Sequence, residues 1–271
     1  MQDRNSRQTA IRLGAHGEDY GNWMPVSMLR LVGGLLFLAV VLAALSFTVF
    51  HLTVLGVIFI IAAGVFLVLL GWITWIRRQY AFGGDGMMER VHHTILSHLD
   101  YDGKGTLLDV GCGSGALSIR AALTWPQTKV MAIDYWGAAY GYGQAMCEKN
   151  AAGEGVGSRC TFQHGDANKL DFPDESFDAV VSNYVYHNIT GADKQALLLE
   201  SLRVLKKGGV FALNDEMKPR MYGDMEAFAQ KLRDMGYEDV RLIDTAKEIF
   251  GSHHRAAMMM LGESRMLVGK K

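Results

Sequence analysis

Cysteine is scarce in this chain. Its 271 residues hold three, Cys112, Cys147 and Cys160, with no C-x-x-C pair and no zinc-like spacing. An odd, scattered set builds no disulfide framework. It fits a reducing compartment, where a free thiol packs as a small buried hydrophobe. Net charge is nearly absent too, at −1, which removes the broad attraction by which nucleic-acid binders neutralise phosphate. No secretory cleavage site is evident, and the first apolar block starts too late and runs too long for a signal-peptide core. Met258-Met259-Met260 reads as adaptable core filling and not as a metal site.

Charge is missing most completely from two blocks. Residues 52–76 carry none and residues 29–50 carry only Arg30. At ~1.5 Å per residue, blocks of about 22 to 25 residues reach about 33 to 37 Å, enough for a hydrocarbon core of about 30 Å. Apolar residues occupy every face of both blocks, where a soluble surface helix keeps a polar side. The competing reading is one long buried hairpin inside a soluble domain. Gly33, Gly34, Gly56, Gly64 and Gly71 are costly in soluble helices and commoner where membrane helices approach each other. Arg4, Arg7, Arg12 and Arg30 precede the hairpin centre, Arg77, Arg78 and Arg90 follow it, and the connection around His51 has no Lys or Arg. That asymmetry places both termini in the cytoplasm, with Trp23, Trp72 and Trp75 as interfacial anchors and His51 as an interfacial residue. The expected organisation is a polar, mobile or surface-lying cytoplasmic arm over 1–27 with His16 solvated, a transmembrane helical hairpin over 28–78, a glycine linker over 81–86, and a domain over 85–271.

The domain opens with a predicted helix over 87–99, striped by Met88, Val91, Ile95 and Leu99. His92, His93 and His98 lie on it without a supporting carboxylate, so they read as solvated or supporting histidines and not as metal ligands. Leu107-Leu108-Asp109-Val110-Gly111-Cys112-Gly113-Ser114-Gly115 then reads as a buried strand, a tight glycine turn and a helix N-terminus. The G-x-G-x-G spacing differs from the G-x-G-x-x-G of many dinucleotide sites, and no G-K-[ST] follows, which excludes a P-loop.

The run "LLDVGCGSG" resembles motif I of the class I S-adenosylmethionine-dependent methyltransferases; the plain alternative is a structural glycine turn in another Rossmann-like protein. The resemblance implies a doubly wound, seven-stranded Rossmann-like α/β sheet ending in an antiparallel strand. It also implies S-adenosylmethionine as cofactor, with Asp109, Gly111, Gly113 and Gly115 around it and the 87–99 helix closing the cleft. The strand 129–134 ends in Asp134, about 20 residues past the turn, a spacing that suits a carboxylate accepting from both ribose hydroxyls. The alternative for Asp134 is a helix N-cap. Tyr135 or Trp136 can pack on adenine, and the glycine- and tyrosine-rich stretch 137–143 is either a poor helix start or an irregular segment shaped around ligand.

Asp166 matches the family's acid facing the adenine amino group, with Ala167 beside it; the alternative is a turn aspartate. A fourth strand, 179–183, delivers Asn183, Tyr184, Tyr186 and His187 to its carboxyl end, where ligands of such sheets sit. This cluster departs from the N-P-P-[YF] of methyltransferases acting on nucleic acids or protein glutamine and is similar to the "S-N-x-x-x-H-x-x" of those acting on lipids, quinones and other small molecules. His187 is either a general base or a histidine capping the next turn. Residues 195–205 form an amphipathic helix closed by Lys206-Lys207-Gly208-Gly209, and a fifth strand over 209–213 runs to Asn214-Asp215-Glu216. A helix over 225–235 and strands over 240–243 and 264–268 finish the chain, and His253-His254-Arg255 face either solvent or an anionic group.

The expected catalytic set is His187, Tyr184, Tyr186 and Glu216, with no metal and no covalent nucleophile, because transfer from a sulfonium is a direct displacement that needs alignment above all. The hairpin points to a small lipophilic acceptor such as a quinone or lipid, with the bilayer as partner and no nucleic acid. The competing functions are a non-catalytic membrane-anchored S-adenosylmethionine-binding or interaction protein, and a nicotinamide-dependent oxidoreductase.

Overall fold

The computed structural model describes residues 11, 13–15, 17–82, 86–137 and 142–271. Arg4, Arg7, Arg12, His16, Gly83, Gly84 and Asp85 of the glycine linker, and Tyr140 and Gly141 lie outside the described residues. The chain forms two compact units. One combines the described residues up to Gly21 with Met87–Lys271; the other is Asn22–Gly86.

The smaller unit is a pair of helices, α1 (Val26–Thr48) and α2 (Thr53–Gln79), both long and apolar enough to cross a membrane. They turn through Val49–Leu52, with His51 in the left-handed region at φ 52°. Large side chains point outward: Phe37 is 71% exposed, Val54 77% and Val68 74%. The buried positions are Val32, Ala39, Ala43 and Ser46 on α1 and Gly56, Ile73 and Ile76 on α2, and the small ones among them gather in the half of the pair nearer the turn. A Cβ on Gly56 would lie 2.6 Å from the Phe47 ring, so the absence of a side chain lets the helices meet there. The hydroxyls of Ser46, Thr48 and Thr74 each donate to the carbonyl four residues back, so these three polar groups are satisfied within their own helices. At the open end, Asn22 Nδ2 donates to the Arg77 carbonyl (2.9 Å) and the Trp23 and Tyr80 rings pack 5.2 Å apart.

The larger unit is a seven-stranded sheet in the order β3-β2-β1-β4-β5-β7-β6. Its strands are β1 (Thr106–Val110), β2 (Lys129–Asp134), β3 (Cys160–His164), β4 (Phe177–Asn183), β5 (Leu205–Glu216), β6 (Glu238–Ile243) and β7 (Ser264–Lys270). The first five run parallel, and β7 is antiparallel to both its neighbours. The helices are α3 (Met87–His98), α4 (Ala116–Thr124), α5 (Gln144–Gly153), α6 (Lys194–Arg203), the short α7 (Pro219–Tyr222), α8 (Met225–Asp234), α9 (Thr245–Phe250) and α10 (His253–Met258). Parallel order 3-2-1-4-5 reverses beside β1, so the carboxyl ends of β1 and β4 form the crevice where this architecture binds ligands.

Three sequence expectations are corrected. Helix α6 ends at Arg203, two residues early, and Lys206–Gly209 is not its cap. Those residues lie in β5, where the register shifts between Phe177 and Ala179 of the partner strand and Gly208 takes φ 77°. A bulge has absorbed the glycines. His92 is not solvated: it is 2% exposed inside α3, and burial pushes its pKa down to about 3, so it is neutral. His98 has a carboxylate after all, with Nε2 at 2.9 Å from Glu248 Oε1 of α9, a partner that spacing along α3 could not reveal.

If the hairpin closes on Gly56, Gly56→Leu forces the helices apart at a cost of about 1–3 kcal/mol. Gly64→Leu, at a glycine with nothing within 4 Å, does not. Thermal unfolding of the detergent-solubilised protein, with cross-linking across the hairpin as second readout, is expected to separate the two variants; equal behaviour would discard this seam.

Candidate functional site

The crevice is built on the turn between β1 and α4. Gly111, Gly113 and Gly115 have φ of 76°, 56° and 82°, conformations that L side chains resist. Gly111 also needs its size: a Cβ there would fall 2.2 Å from Val185 Cγ2. The amides of Gly111 and Cys112 both donate to the Ile133 carbonyl at the end of β2 (2.8 and 3.0 Å). Below the turn, Asp109 is 1% exposed and accepts from Ser118 Oγ at 2.5 Å, tying the strand end to the first turn of α4. Burial raises its pKa to about 7, against the opposing Ser118 bond.

Asp134 sits across the turn. Its Oδ2 accepts from the Gly113 amide (2.8 Å) and its Oδ1 from the Trp136 amide (2.7 Å). The helix-cap alternative fails, because α5 starts at Gln144 with Gly143 before it and no side-chain cap. A carboxylate has about four acceptor positions; these two bonds leave two, as many as the paired hydroxyls of a ribose require. Trp136, at φ 44°, turns back and donates from Nε1 to the Gly113 carbonyl (2.9 Å), so its indole belongs to the turn. Tyr135 is the exposed ring, 5.1 Å from His164 of β3. Asp166 is exposed beyond β3. Its Oδ1 accepts from the Asn168 amide and side chain (2.8 and 2.7 Å), which leaves Oδ2 for an adenine amino group, and Ala167 packs beside it against the core. No helix forms over the described part of 137–143.

At the ends of β4 and β5 lies a second group. Asp215 is fully buried, and its Oδ1 lies 2.5 Å from His187 Nδ1. Its Oδ2 accepts from the Tyr186 amide (2.7 Å) and more weakly from that of His187 (3.3 Å). With a carboxylate on Nδ1, the neutral tautomer protonated there is the one that makes a hydrogen bond, which orients the ring and leaves Nε2 as the acceptor. Glu216 follows directly. Its Oε1 accepts from the Glu263 amide (3.2 Å) with Lys218 Nζ at 3.8 Å, while Oε2 is buried without a hydrogen-bond partner. Burial raises its pKa, opposed by Lys218 and His187.

The tyrosines behave differently from expectation. Tyr186 is fully buried and its hydroxyl meets Ser201 Oγ of α6 at 2.8 Å, so it is a core residue whose amide, not phenol, serves the site. Tyr184 holds φ 56° and directs its hydroxyl to Ser264 Oγ (2.6 Å). Burial pushes both phenols up and away from proton transfer. Asn183 accepts from Asn214 Nδ2 (2.9 Å), Asn214 accepts from Thr245 Oγ1 (2.9 Å), and Thr245 meets Ser264 Oγ (2.8 Å). This buried chain from Asn183 to Tyr184 forms a rigid floor beneath the crevice. Sequence reasoning missed Asp215 as a site residue. It passed over the middle of Asn214-Asp215-Glu216 because alternation along a strand tells which residues share a face, not which face meets His187.

Residues 108–213 match a family described as a methyltransferase domain. Demethylmenaquinone methyltransferase of Symbiobacterium thermophilum is 30% identical over 138 residues, 49% of this chain and 51% of its own length. The ubiquinone/menaquinone biosynthesis C-methyltransferase of Desulfotalea psychrophila is 30% identical over 137 residues, 49% of this chain and 50% of its own. A sterol 24-C-methyltransferase of Gibberella zeae is 26% identical over 178 residues, 66% and 44%. The chain thus spans about half the length of the curated relatives it matches. Among solved structures, geranyl diphosphate C-methyltransferase of Streptomyces coelicolor superposes with a TM-score of 0.52 at 13% identity, over 68% of this chain and 79% of that one, which speaks for the fold.

Two expectations test the turn. Gly111→Ala is expected to lower stability by several kcal/mol, through strain of about 1–2 kcal/mol plus overpacking of about 1–3 kcal/mol, whereas Gly113→Ala, whose Cβ would stop 3.6 Å from Tyr142, carries the strain alone. The Asp109 carboxyl has an ordinary value of 3.8 and a folded value of about 7. Below pH 4 it is neutral folded or unfolded; as pH rises towards 7 only the unfolded chain ionises freely, so this group's contribution to stability falls and then levels. The melting temperature of Asp109→Asn relative to wild type is therefore expected to climb between pH 4 and 7; a flat difference would show that Asp109 ionises normally.

Proposed function

We propose, from the premise that the domain following the apolar hairpin belongs to the class I S-adenosylmethionine-dependent methyltransferases, that this chain is a membrane-anchored methyltransferase acting on a small lipophilic acceptor. The observation that carries the reading is the pairing, in one chain, of a methyltransferase domain with a hairpin whose large apolar side chains face outward. Apolar surface of that extent is stable against lipid and costly against water. Relatives named for demethylmenaquinone and sterol substrates support an acceptor that lives in the same phase. The arm up to Gly21 packs with the domain that follows the hairpin, which supports both ends of the hairpin on one, cytoplasmic, side.

S-adenosylmethionine, when bound, supplies a methyl group on a positively charged sulfur. This chain's residues bind and align. The turn at Gly111–Gly115 offers backbone without side chains, Asp134 takes the ribose hydroxyls, and Asp166 and Tyr135 take the adenine. Asn183 fixes the floor through Asn214. His187 removes the acceptor's proton at Nε2, Asp215 positions its ring, and Glu216 lies beside the pair as a carboxyl with one oxygen to spare. A histidine held in this way favours an acceptor that loses a proton, a hydroxyl or an acidic carbon.

The test is full-length protein in vesicles, supplied with methyl-labelled S-adenosylmethionine and an extract of the native membranes. Label is expected in the organic phase, and His187→Ala is expected to lower the rate by about 10²–10⁴-fold, the range typical of a lost general base. Label confined to water-soluble products would refute the lipophilic acceptor, and absence of transfer with intact cofactor binding would favour a non-catalytic binding protein.

A further inference from the structure

The described residues between Ile11 and Gly21 do not lie loosely on the surface, although the polar composition predicts that of the arm. Leu13 and Tyr20 are each 2% exposed. The Gly14 amide and the Tyr20 hydroxyl both donate to Glu154 Oε1 (2.8 and 3.1 Å) just past α5, and Arg120 of α4 reaches the Ile11 carbonyl at 3.2 Å. A stretch rich in glycine and charge gave no sign of this; its partners lie more than 100 residues away.

Two contacts carry the arm to the cofactor turn. Asn150, 1% exposed on α5, donates from Nδ2 to the Asp19 carbonyl (2.9 Å) and to the Ser114 carbonyl (3.2 Å). One amide group, with its two N–H bonds, spans the arm and the G-x-G-x-G turn. Gly21 lies against Tyr142, so that a Cβ there would fall 2.5 Å from the ring. The other edge of that ring faces Gly113, whose added Cβ would meet it at 3.6 Å. Tyr142 is thus held between arm and turn, at the middle glycine of the loop.

We infer that residues 13–21 are a strap that completes the S-adenosylmethionine site, with Asn150 and Tyr142 as the positioning residues that transmit it to the glycine turn. The inference rests on the cofactor reading above. The segment entering the first apolar helix then also closes the cofactor site, and a methyltransferase domain cut away from everything before Met87 loses part of its cofactor grip. Removing the strap would strand the buried Asn150 amide and free Tyr142 from one side, penalties paid where the cofactor's own contacts begin.

The experiment uses the full-length protein in detergent micelles, with S-adenosylmethionine as the probe. Hydrogen exchange on the wild type is expected to slow over residues 13–21 as well as over 111–115 when the cofactor saturates. By calorimetry, Gly21→Ala and Asn150→Ala are each expected to weaken binding by about ten-fold or more, the scale of one buried hydrogen-bonded group left unpaired. KM for the cofactor should rise while kcat at saturating cofactor holds. Protection of 111–115 with unchanged exchange over 13–21, or wild-type affinity in Gly21→Ala, would overturn the strap and leave the functional reading standing. A wild type that binds no S-adenosylmethionine would overturn both. The exchange measurement needs no variant, so a substitution that fails to fold does not rescue the inference.

Discussion

Gly111 lies so close to the Val185 side chain that a single methyl on its α-carbon would collide with it, and much of the larger unit follows from that contact. It lets the segment after β4 press onto the turn after β1. The two strand ends therefore meet in one crevice, and the Ile133 carbonyl holds the turn from the β2 side with two amides. Glycine makes the three positive-φ positions of this turn accessible, and Asp109 below and Asp134 across are the hydrogen-bonded braces that hold it in place.

The crevice divides between two kinds of polar chemistry. On the β1–β2–β3 side, carboxylates keep acceptor positions open toward solvent, which suits hydroxyl and amino groups of a bound nucleoside. On the β4–β5 side, polar groups are satisfied among themselves: Asn183, Asn214, Thr245, Ser264 and Tyr184 form a closed chain, and Asp215 spends its lone pairs on three backbone amides and one imidazole. Two buried oxygens in this region, Glu216 Oε2 and the Tyr222 hydroxyl, have no hydrogen-bond partner in the structure. Bonded surroundings with a few open positions suit the orienting of a bound group.

The hairpin obeys the opposite rule. Many of its large apolar side chains are exposed, and the hydroxyls of Ser46, Thr48 and Thr74 bond to their own helix. An element of this composition is favoured by an apolar solvent, and the membrane anchor proposed above rests on that. Placing it between the arm and the main domain makes the chain leave the folded unit and return to it.

The order of elements was legible in the sequence because it depends on local signals. Two nearly charge-free blocks, a G-x-G-x-G run after an apolar strand, and acids at the ends of successive strands announce the hairpin, the turn and the crevice; an antiparallel strand followed from the resemblance those motifs carry, although it lies one place in from the sheet's edge, between β5 and β6. The left-handed glycines were legible for the same reason, since no other residue serves such a turn as cheaply. Tertiary structure decided whatever depends on which distant groups meet. It turned Tyr186 into a core residue by giving its hydroxyl Ser201, gave His187 the buried Asp215 as its partner, folded Trp136 back onto Gly113, and drew Asp19 onto Asn150 across 131 residues. A side chain's chemistry is set by its residue type, but its role is set by its neighbours, and in a parallel sheet those neighbours come from strands far apart in the chain.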